Sequence, residues 1–477
     1  MIAVTLAEVE ALVGGRLVAA GGAAVVRGDV EVDSRLVSPV GLFVALAGAR
    51  TDGHAHVDDA VRRGAVAALT ARPVGDAPCV VVDDPLVALQ RLASALWIRG
   101  GPPLTVGITG SSGKTSTKDL VTHLLLPEGP VLSPPGSFNN EIGLPLTALR
   151  RTSETAFAVL EYSARGRGHV AFLRDLVAPT VACVLNVGSA HLGEFGSREA
   201  IAEAKTELVE QTPDGRGPSV AVLNADDPLV RAMAARTDAP VLTFGRDLRA
   251  DVRAGDVAID ALGRASFVLE HDGERAPVAL QLRGEHAVAN ALAAAAAVLA
   301  ARRLPGGPKS DLAALAARLG SATPASRWRM EVTERSDGVT IVNDAYNANP
   351  ESMRAALKTL AVMSDGKARR TVAVLGHMAE LGPAERDEHF DLGRFVVRLD
   401  IGQLVVVGPS AGGIHAGAVL EGSWGSESIH VEDVEAAVRL LHEQLEPGDV
   451  VLLKGSRSAG LERVADALLA GEPQART

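Results

Sequence analysis

The stretch Thr105-Val-Gly-Ile-Thr-Gly-Ser-Ser-Gly-Lys-Thr-Ser-Thr-Lys118 most constrains what this chain can fold into, because strand, glycine loop and helix follow one another without interruption. Residues 104–108 read as a short buried strand. Gly110, Ser111, Ser112 and Gly113 then turn the chain, and their backbone N–H groups are expected to point inward. From Lys114 the spacing is helical, with Leu120, Leu124 and Leu125 on one side. Such a helix N-terminus favours an anion, because its first N–H groups are unpaired and its dipole is positive there. Lys114 is placed to reach outer phosphates and the Thr115 hydroxyl to ligate Mg²⁺. The strict phosphate-loop pattern requires Gly where Ile108 stands. The spacing here is instead G-x-x-G-x-x-G-K-T-S, from Gly107 to Ser116. The context predicts a nucleotide site built from residues 110–116.

Apolar runs alternate with helical sequence on both sides of this loop. Ahead of Pro102-Pro103, residues 42–46 and 79–82 read as strands and 57–63 as a helix ending at Gly64. Behind it, 156–160, 180–185 and 220–223 read as strands. The Ala-rich run 287–301 is 15 residues long and broken by Asn290, which is short of a membrane span and suits a buried helix. Residues 311–319 read as a further helix, and Pro324 marks a second boundary. Strands are then expected at 339–342, 371–375, 403–407 and 450–453. This alternation predicts mostly parallel, doubly wound sheets, and 477 residues exceed a single core. The expected architecture is α/β, with three α/β domains at 1–101, 102–323 and 324–477.

Composition narrows the partners. A net charge of −11 without a basic run argues against nucleic acid and anionic membrane. Anionic substrates must therefore be met by locally placed Arg and Lys. Two cysteines, Cys79 and Cys183, are too few for a disulfide framework or a four-cysteine zinc site and read as core residues. The N-terminus carries Glu8 and Glu10 without a basic start, so no signal peptide is expected and the cytoplasm follows by elimination.

Several polar residues stand where an apolar strand ends, which is where an open α/β sheet exposes its site. Residues 156–160 deliver Glu161; 181–185 deliver Asn186, with His191 in the following loop. Thr115, Glu161 and phosphate oxygens suffice for one Mg²⁺, which wants hard oxygen ligands. The bland readings are a solvated strand-end charge for Glu161 and a structural loop residue for His191. Lys205, in a helix expected over 198–210, reads first as a surface lysine among Glu203, Glu207 and Glu210. An ammonium cannot ligate a metal unless the amine is converted to an anion. Asn290, opening the Ala-rich helix, is able to read a purine edge. Arg327 follows a linker and is able to add positive charge to a transferring phosphoryl group. Asp344 ends a strand, Tyr346-Asn-Ala-Asn-Pro350 follows it, and Lys454-Gly-Ser-Arg457 ends another and offers a basic clamp.

In this order, nearly end to end, the motifs resemble the Mur ligase family and, within it, the branch that adds D-alanyl-D-alanine to UDP-MurNAc-tripeptide. Asp33-Ser-Arg35, residues 42–46 and Asp52-Gly-His54 resemble that family's UDP-binding domain, with Ser34 and Arg35 as substrate contacts. Residues 107–116 resemble its ATP loop, and 137–145, with Asn139 and Asn140, the segment after it. The resemblance implies a central P-loop ATPase domain flanked by the UDP-binding domain and a C-terminal Rossmann-like domain. It makes Glu161 a magnesium ligand, His191 the ligand of a second magnesium and Lys205 a carbamylated lysine. Asn290 becomes an adenine contact, Arg327 the inter-domain arginine at the γ-phosphate, and Asp344 a nucleotide contact. Tyr346, Asn347, Asn349, Lys454 and Arg457 become substrate residues, and Lys114, Lys205, His191 and Arg327 the catalytic set. The chain departs from the family pattern at Ala287, Ser326 and His377.

The implied reaction is a two-step ligation by a monomer with ATP and two Mg²⁺ ions. ATP phosphorylates the terminal carboxylate of the tripeptide nucleotide, and the amine of D-Ala-D-Ala attacks the acyl phosphate. The alternatives are a sibling ligase adding a single amino acid and a phosphotransferase using the same loop. The folate branch lacks the front domain, and the amidating relative needs four zinc-binding cysteines.

Overall fold

The computed structural model describes residues 1–48, 51–190, 192–212, 215, 217–423 and 425–470. Among these residues the architecture is α/β throughout, with three main sheets stacked along the chain. The first has five strands in the order Arg16–Val18, Cys79–Val81, Ala67–Thr70, Leu42–Val44 and Val30–Glu31. The last has six, with Glu331–Glu334 antiparallel at one edge and five parallel strands after it.

The central sheet has nine strands and positions the phosphate loop. Its parallel part runs Val131–Leu132, Phe157–Glu161, Leu104–Thr109, Val181–Val184, Val220–Asn224, Val241–Gly245 and Val252–Ile259. Val106 pairs with Val159 on one side and Val181 on the other, and all three are buried. The strand is covered on both faces, and its alternating aliphatic (Val106, Ile108) and small (Thr105, Gly107, Thr109) residues are all buried. After Leu104–Thr109 the chain crosses to one side of this strand, and after Phe157–Glu161 it crosses to the other. The carboxyl end of Leu104–Thr109 is therefore a topological switch point, where such sheets open a crevice.

Two antiparallel strands, Arg264–His271 and Glu274–Arg283, extend the sheet beyond Val252–Ile259 and were not anticipated from the sequence. Their signal is legible afterwards. Ala276, Val278 and Leu280 are buried at period two, and Asp272-Gly273, both at positive φ, form the two-residue turn between the strands. The Ala-rich helix spans His286–Arg302 and is buried along its length. Its small side chains let it lie between helix Lys114–Leu125 and the sheet. The helix expected over 198–210 stops at Thr206. Cys79 and Cys183 are both free and buried.

Arg151 fixes the joint between the first two sheets. Its guanidinium donates to the carbonyls of Leu96, Trp97 and Arg99 at 3.2, 2.5 and 3.1 Å, and also to Gly101. These groups end helix Pro85–Ile98, whose last carbonyls have no intrahelical partner. Among the described residues no helix is long and apolar enough to cross a membrane.

Candidate active site

Loop 110–113 turns as expected, but two of its N–H groups do not face a ligand. The Ser111 and Ser112 N–H groups both donate to Asn186 Oδ1, at 3.0 Å each, so the neighbouring strand end braces the loop. Anion-binding capacity passes to the next turn. Lys114, Thr115 and Ser116 open helix Lys114–Leu125, and N–H groups at those positions have no intrahelical acceptor. Gly113 has φ +81°, and a Cβ there would lie 2.5 Å from Asn290 Oδ1. Glycine is required on both counts, and Asn290 is thereby packed directly against the loop.

Beside the loop, Thr115 Oγ1 lies 2.8 Å from Ser137 Oγ and donates to Glu161 Oε2 at 3.3 Å. Asn139 Nδ2 donates to the same carboxylate oxygen at 3.3 Å. Glu161 is fully buried, and its Oε1 has no partner among the described residues. Burial raises its pKa, with the charges of Lys114, Lys118 and Arg329 acting in the opposite direction. Lys114 Nζ donates to Gly110 O at 2.5 Å, and burial pulls its pKa down to about 8. Lys205 is buried, at 5% exposure, rather than on the surface. Burial, and after it the charge of Lys114, holds its amine well below the usual lysine range. Lys118 is buried as well and donates to the carbonyls of Pro134 and Gly136 at 2.8 and 3.3 Å, which fixes the segment leading to Ser137.

The C-terminal unit supplies the opposite wall. The arginine it brings to the loop is Arg329, not Arg327. Arg329 Nη2 donates to Thr115 Oγ1 at 3.4 Å, and its guanidinium lies 4.2 Å from the centre of the Tyr346 ring. Arg327 does not line the main cavity; it lies 5.2 Å from the Trp328 ring centre and lines a smaller adjoining cavity that also touches Thr115 and Arg329. Trp328 and Met330 both have positive φ, 58° and 50°, which flips the chain on either side of Arg329. Such left-handed conformations cost non-glycine residues about 1–2 kcal/mol each. They are held here because Glu331 Oε2 accepts the Trp328 N–H at 3.1 Å and Asp344 Oδ1 the Met330 N–H at 3.2 Å.

Lys454 Nζ meets Asp344 Oδ2 at 2.6 Å and Asn347 O at 3.0 Å, so these residues neutralise each other instead of forming a free clamp. Asn349 Oδ1 caps helix Pro350–Val362, and Asn140 Oδ1 accepts the Gly143 N–H at 2.8 Å. Arg457 stacks on the other arginine-facing ring, 4.1 Å from the centre of Trp328, and pairs with Glu462 at 2.6 Å.

These walls enclose one cavity of about 980 Å³. It is lined by Ser111, Ser112, Gly113, Lys114, Thr115, Ser116, Asn139, Asn140, Glu161, Asn290, Asp344, Tyr346, Asn347, Asn349, Lys454 and Arg457, together with Arg329. Gly110 and Lys205 are not among its lining residues. Ser34 and Arg35 are not part of it. Ser34 donates to Asp59 Oδ2 at 3.0 Å, and the exposed Arg35 pairs with Asp33 at 2.6 Å. His191 lies outside the described residues. Asn186 is placed at a strand end by the sequence but given no role there, and Arg329, Lys118 and Ser137 are not singled out as site residues. Two arginines flank Trp328, and no local pattern says which of them the chain turns inward.

Known families match the chain in three consecutive blocks. The Mur ligase family catalytic domain matches residues 29–96, the Mur ligase middle domain 108–298, and the Mur ligase glutamate ligase domain 328–457. The UDP-N-acetylmuramoyl-tripeptide–D-alanyl-D-alanine ligase of Mycobacterium bovis is 47% identical, over 99% of this chain and 99% of its own length. The chain belongs to the Mur ligase family. The ligase of the same name from Escherichia coli is 34% identical over 98% of this chain and 99% of its own. A crystal structure of MurF from Acinetobacter baumannii superposes with a TM-score of 0.85 at 29% identity, covering 98% of this chain and 99% of that one. MurF ligase from Thermotoga maritima in complex with ADP gives 0.76 at 30% identity, over 92% and 96%. The three-sheet architecture of this Mur ligase is thus that of solved MurF structures.

Proposed function

We propose that this Mur ligase joins D-alanyl-D-alanine to UDP-MurNAc-tripeptide with hydrolysis of ATP to ADP and phosphate. One observation carries the reading. The phosphate loop of the central unit and the Asp344–Lys454 wall of the C-terminal unit face the same cavity. The full-length relatives named above, which carry that activity in their names, support the choice of substrates.

In the first step a carboxylate oxygen of the tripeptide attacks the γ-phosphorus, the bond to the bridging oxygen breaks, and ADP leaves. In the second the dipeptide amine attacks the acyl phosphate, loses a proton, and expels inorganic phosphate. The obstacle is electrostatic, because two anions must meet. Lys114 and Arg329 place two cations at the loop to offset that repulsion. The Thr115 hydroxyl and the Glu161 carboxylate, whose buried Oε1 has no partner among the described residues, suit a hard divalent cation such as Mg²⁺. Bound there, Mg²⁺ would neutralise phosphate charge. Lys205 is the residue we assign to carbamylation, since burial favours the neutral amine that CO₂ addition requires. His191 is assigned to a second ion by family likeness alone. Lys205→Ala should lower kcat at least about 10²-fold, the scale of removing one key electrostatic group. Short carboxylic acids should partly restore it, and near-normal activity without them would refute carbamylation.

Boundaries at 1–101, 102–323 and 324–477, a monomer, and a cytoplasmic setting complete the proposal. Phosphate release tests it. With the tripeptide nucleotide and ATP, release should depend on D-Ala-D-Ala and not on single amino acids. Equal release with a single amino acid would indicate a sibling ligase, and release without any amine a phosphotransferase.

A further inference from the structure

Helix Pro350–Val362 belongs to the C-terminal unit, yet Glu351 in its first turn reaches into the central one. Its Oε1 accepts the Ser189 N–H at 2.8 Å and its Oε2 accepts the Ser189 hydroxyl at 3.0 Å. Gly188 makes room for it, since a Cβ there would meet the Glu351 carboxylate at 2.9 Å. Gly188 N–H in turn donates to Ser111 Oγ at 2.9 Å. Two residues earlier, Asn186 Oδ1 holds the Ser111 and Ser112 N–H groups. Asn349 Nδ2 adds a longer bond to Ser111 O, at 3.5 Å. Hydrogen bonds on either side of the short backbone segment 186–189 therefore link the start of a C-terminal helix to the phosphate loop. A carboxylate beside a site for anions opposes binding unless its charge is engaged, and Ser189 engages both oxygens.

We propose that Glu351 is a positioning residue that couples docking of the C-terminal unit to the shape of the phosphate loop. The inference rests on the ligase reading above, in which both units must meet around ATP. Charge-assisted hydrogen bonds are roughly twice as strong as neutral ones, so the pair with Ser189 forms only when the units dock and biases them toward that state. Glu351 lines the cavity and Ser189 does not, and in this proposal Glu351 acts through segment 186–189.

The test compares Glu351→Ala, Glu351→Gln, Ser189→Ala and the Glu351→Ala/Ser189→Ala double variant of the full chain, with thermal unfolding as a folding control. Small-angle scattering with a non-hydrolysable ATP analogue should show the wild type compact and Glu351→Ala expanded. In phosphate release, each alanine variant should lose about tenfold in kcat, the factor carried by one charge-assisted hydrogen bond. The double variant should lose no more than either single one, because they break the same link. Glu351→Gln should recover most of the activity, since its amide still accepts the Ser189 N–H and donates to the hydroxyl. Additive losses, or a loss confined to Glu351 variants, would overturn the proposal, as would wild-type compaction in every variant. The scattering arm does not depend on the peptide substrates. A wild type that releases no phosphate, with compaction still lost in Glu351→Ala, would defeat the ligase reading and leave the coupling standing.

Discussion

Arg327 and Arg329 show how little local sequence says about which side chain reaches the phosphate loop. Both are cations two positions apart, and with left-handed backbone at Trp328 and Met330 it is Arg329 that donates to Thr115 while Arg327 lies against the Trp328 ring. Arg329→Ala is expected to lower kcat by about 10²-fold or more, the loss typical of one transition-state donor. Arg327→Ala should fall within about threefold of the wild type, a range ordinary for a residue without a transition-state contact. Steady-state kinetics on both variants checks this, and the reverse ranking would return the role to Arg327. Lys114 gives a pH signature. Its folded-state pKa is lowered to about 8, so its charge is present below that value and lost as pH rises through it. ATP affinity should therefore be flat below pH 8 and fall by up to about tenfold per unit above it, since binding holds the proton on. Calorimetry from pH 7 to 9.5 should show this slope in the wild type and none in Lys114→Met.

Whole elements were easier to read than single residues, because they are specified by patterns many residues long. The phosphate-loop strand and helix and the Ala-rich helix lie within one or two residues of their expected bounds. The hairpin over residues 264–283 was missed although its alternation and Asp272-Gly273 turn are plain, because exposed strands carry only half the apolar signal of buried ones. Arg151 was also invisible, since its partners are carbonyls, which leave no mark in a sequence. Its guanidinium caps helix Pro85–Ile98 and ties it to the central unit. Arg151→Ala should destabilise the protein by about 3 kcal/mol, since several buried carbonyls lose their donor together. Arg151→Lys should recover only part of this, because an ammonium lacks the planar fork. Denaturant unfolding measures both, and a loss below about 1 kcal/mol would mean that water replaces the donor.

At the scale of the molecule, the site exists only where two units meet. Thr115 and Glu161 come from the central unit and Arg329 and Asp344 from the C-terminal one, and the Glu351–Ser189 pair joins the two. Closing such a crevice excludes water and completes the cation set around phosphate. Small-angle scattering should show the radius of gyration falling when an ATP analogue and the tripeptide nucleotide are added together. An unchanged radius would count against closure as the step that assembles the site.

The sequence alone determined the α/β class, the phosphate loop and its helix, and a set of polar residues most of which line the cavity, because each depends on short-range spacing and on residue chemistry. Tertiary structure decided the rest. It chose Arg329 over Arg327, turned Lys454 and Asp344 into partners, gave the Ser111 and Ser112 N–H groups to Asn186, and buried Lys205. The physical reason is that burial and pairing are properties of what lies across a gap, and segments that face each other here are tens to hundreds of residues apart along the chain.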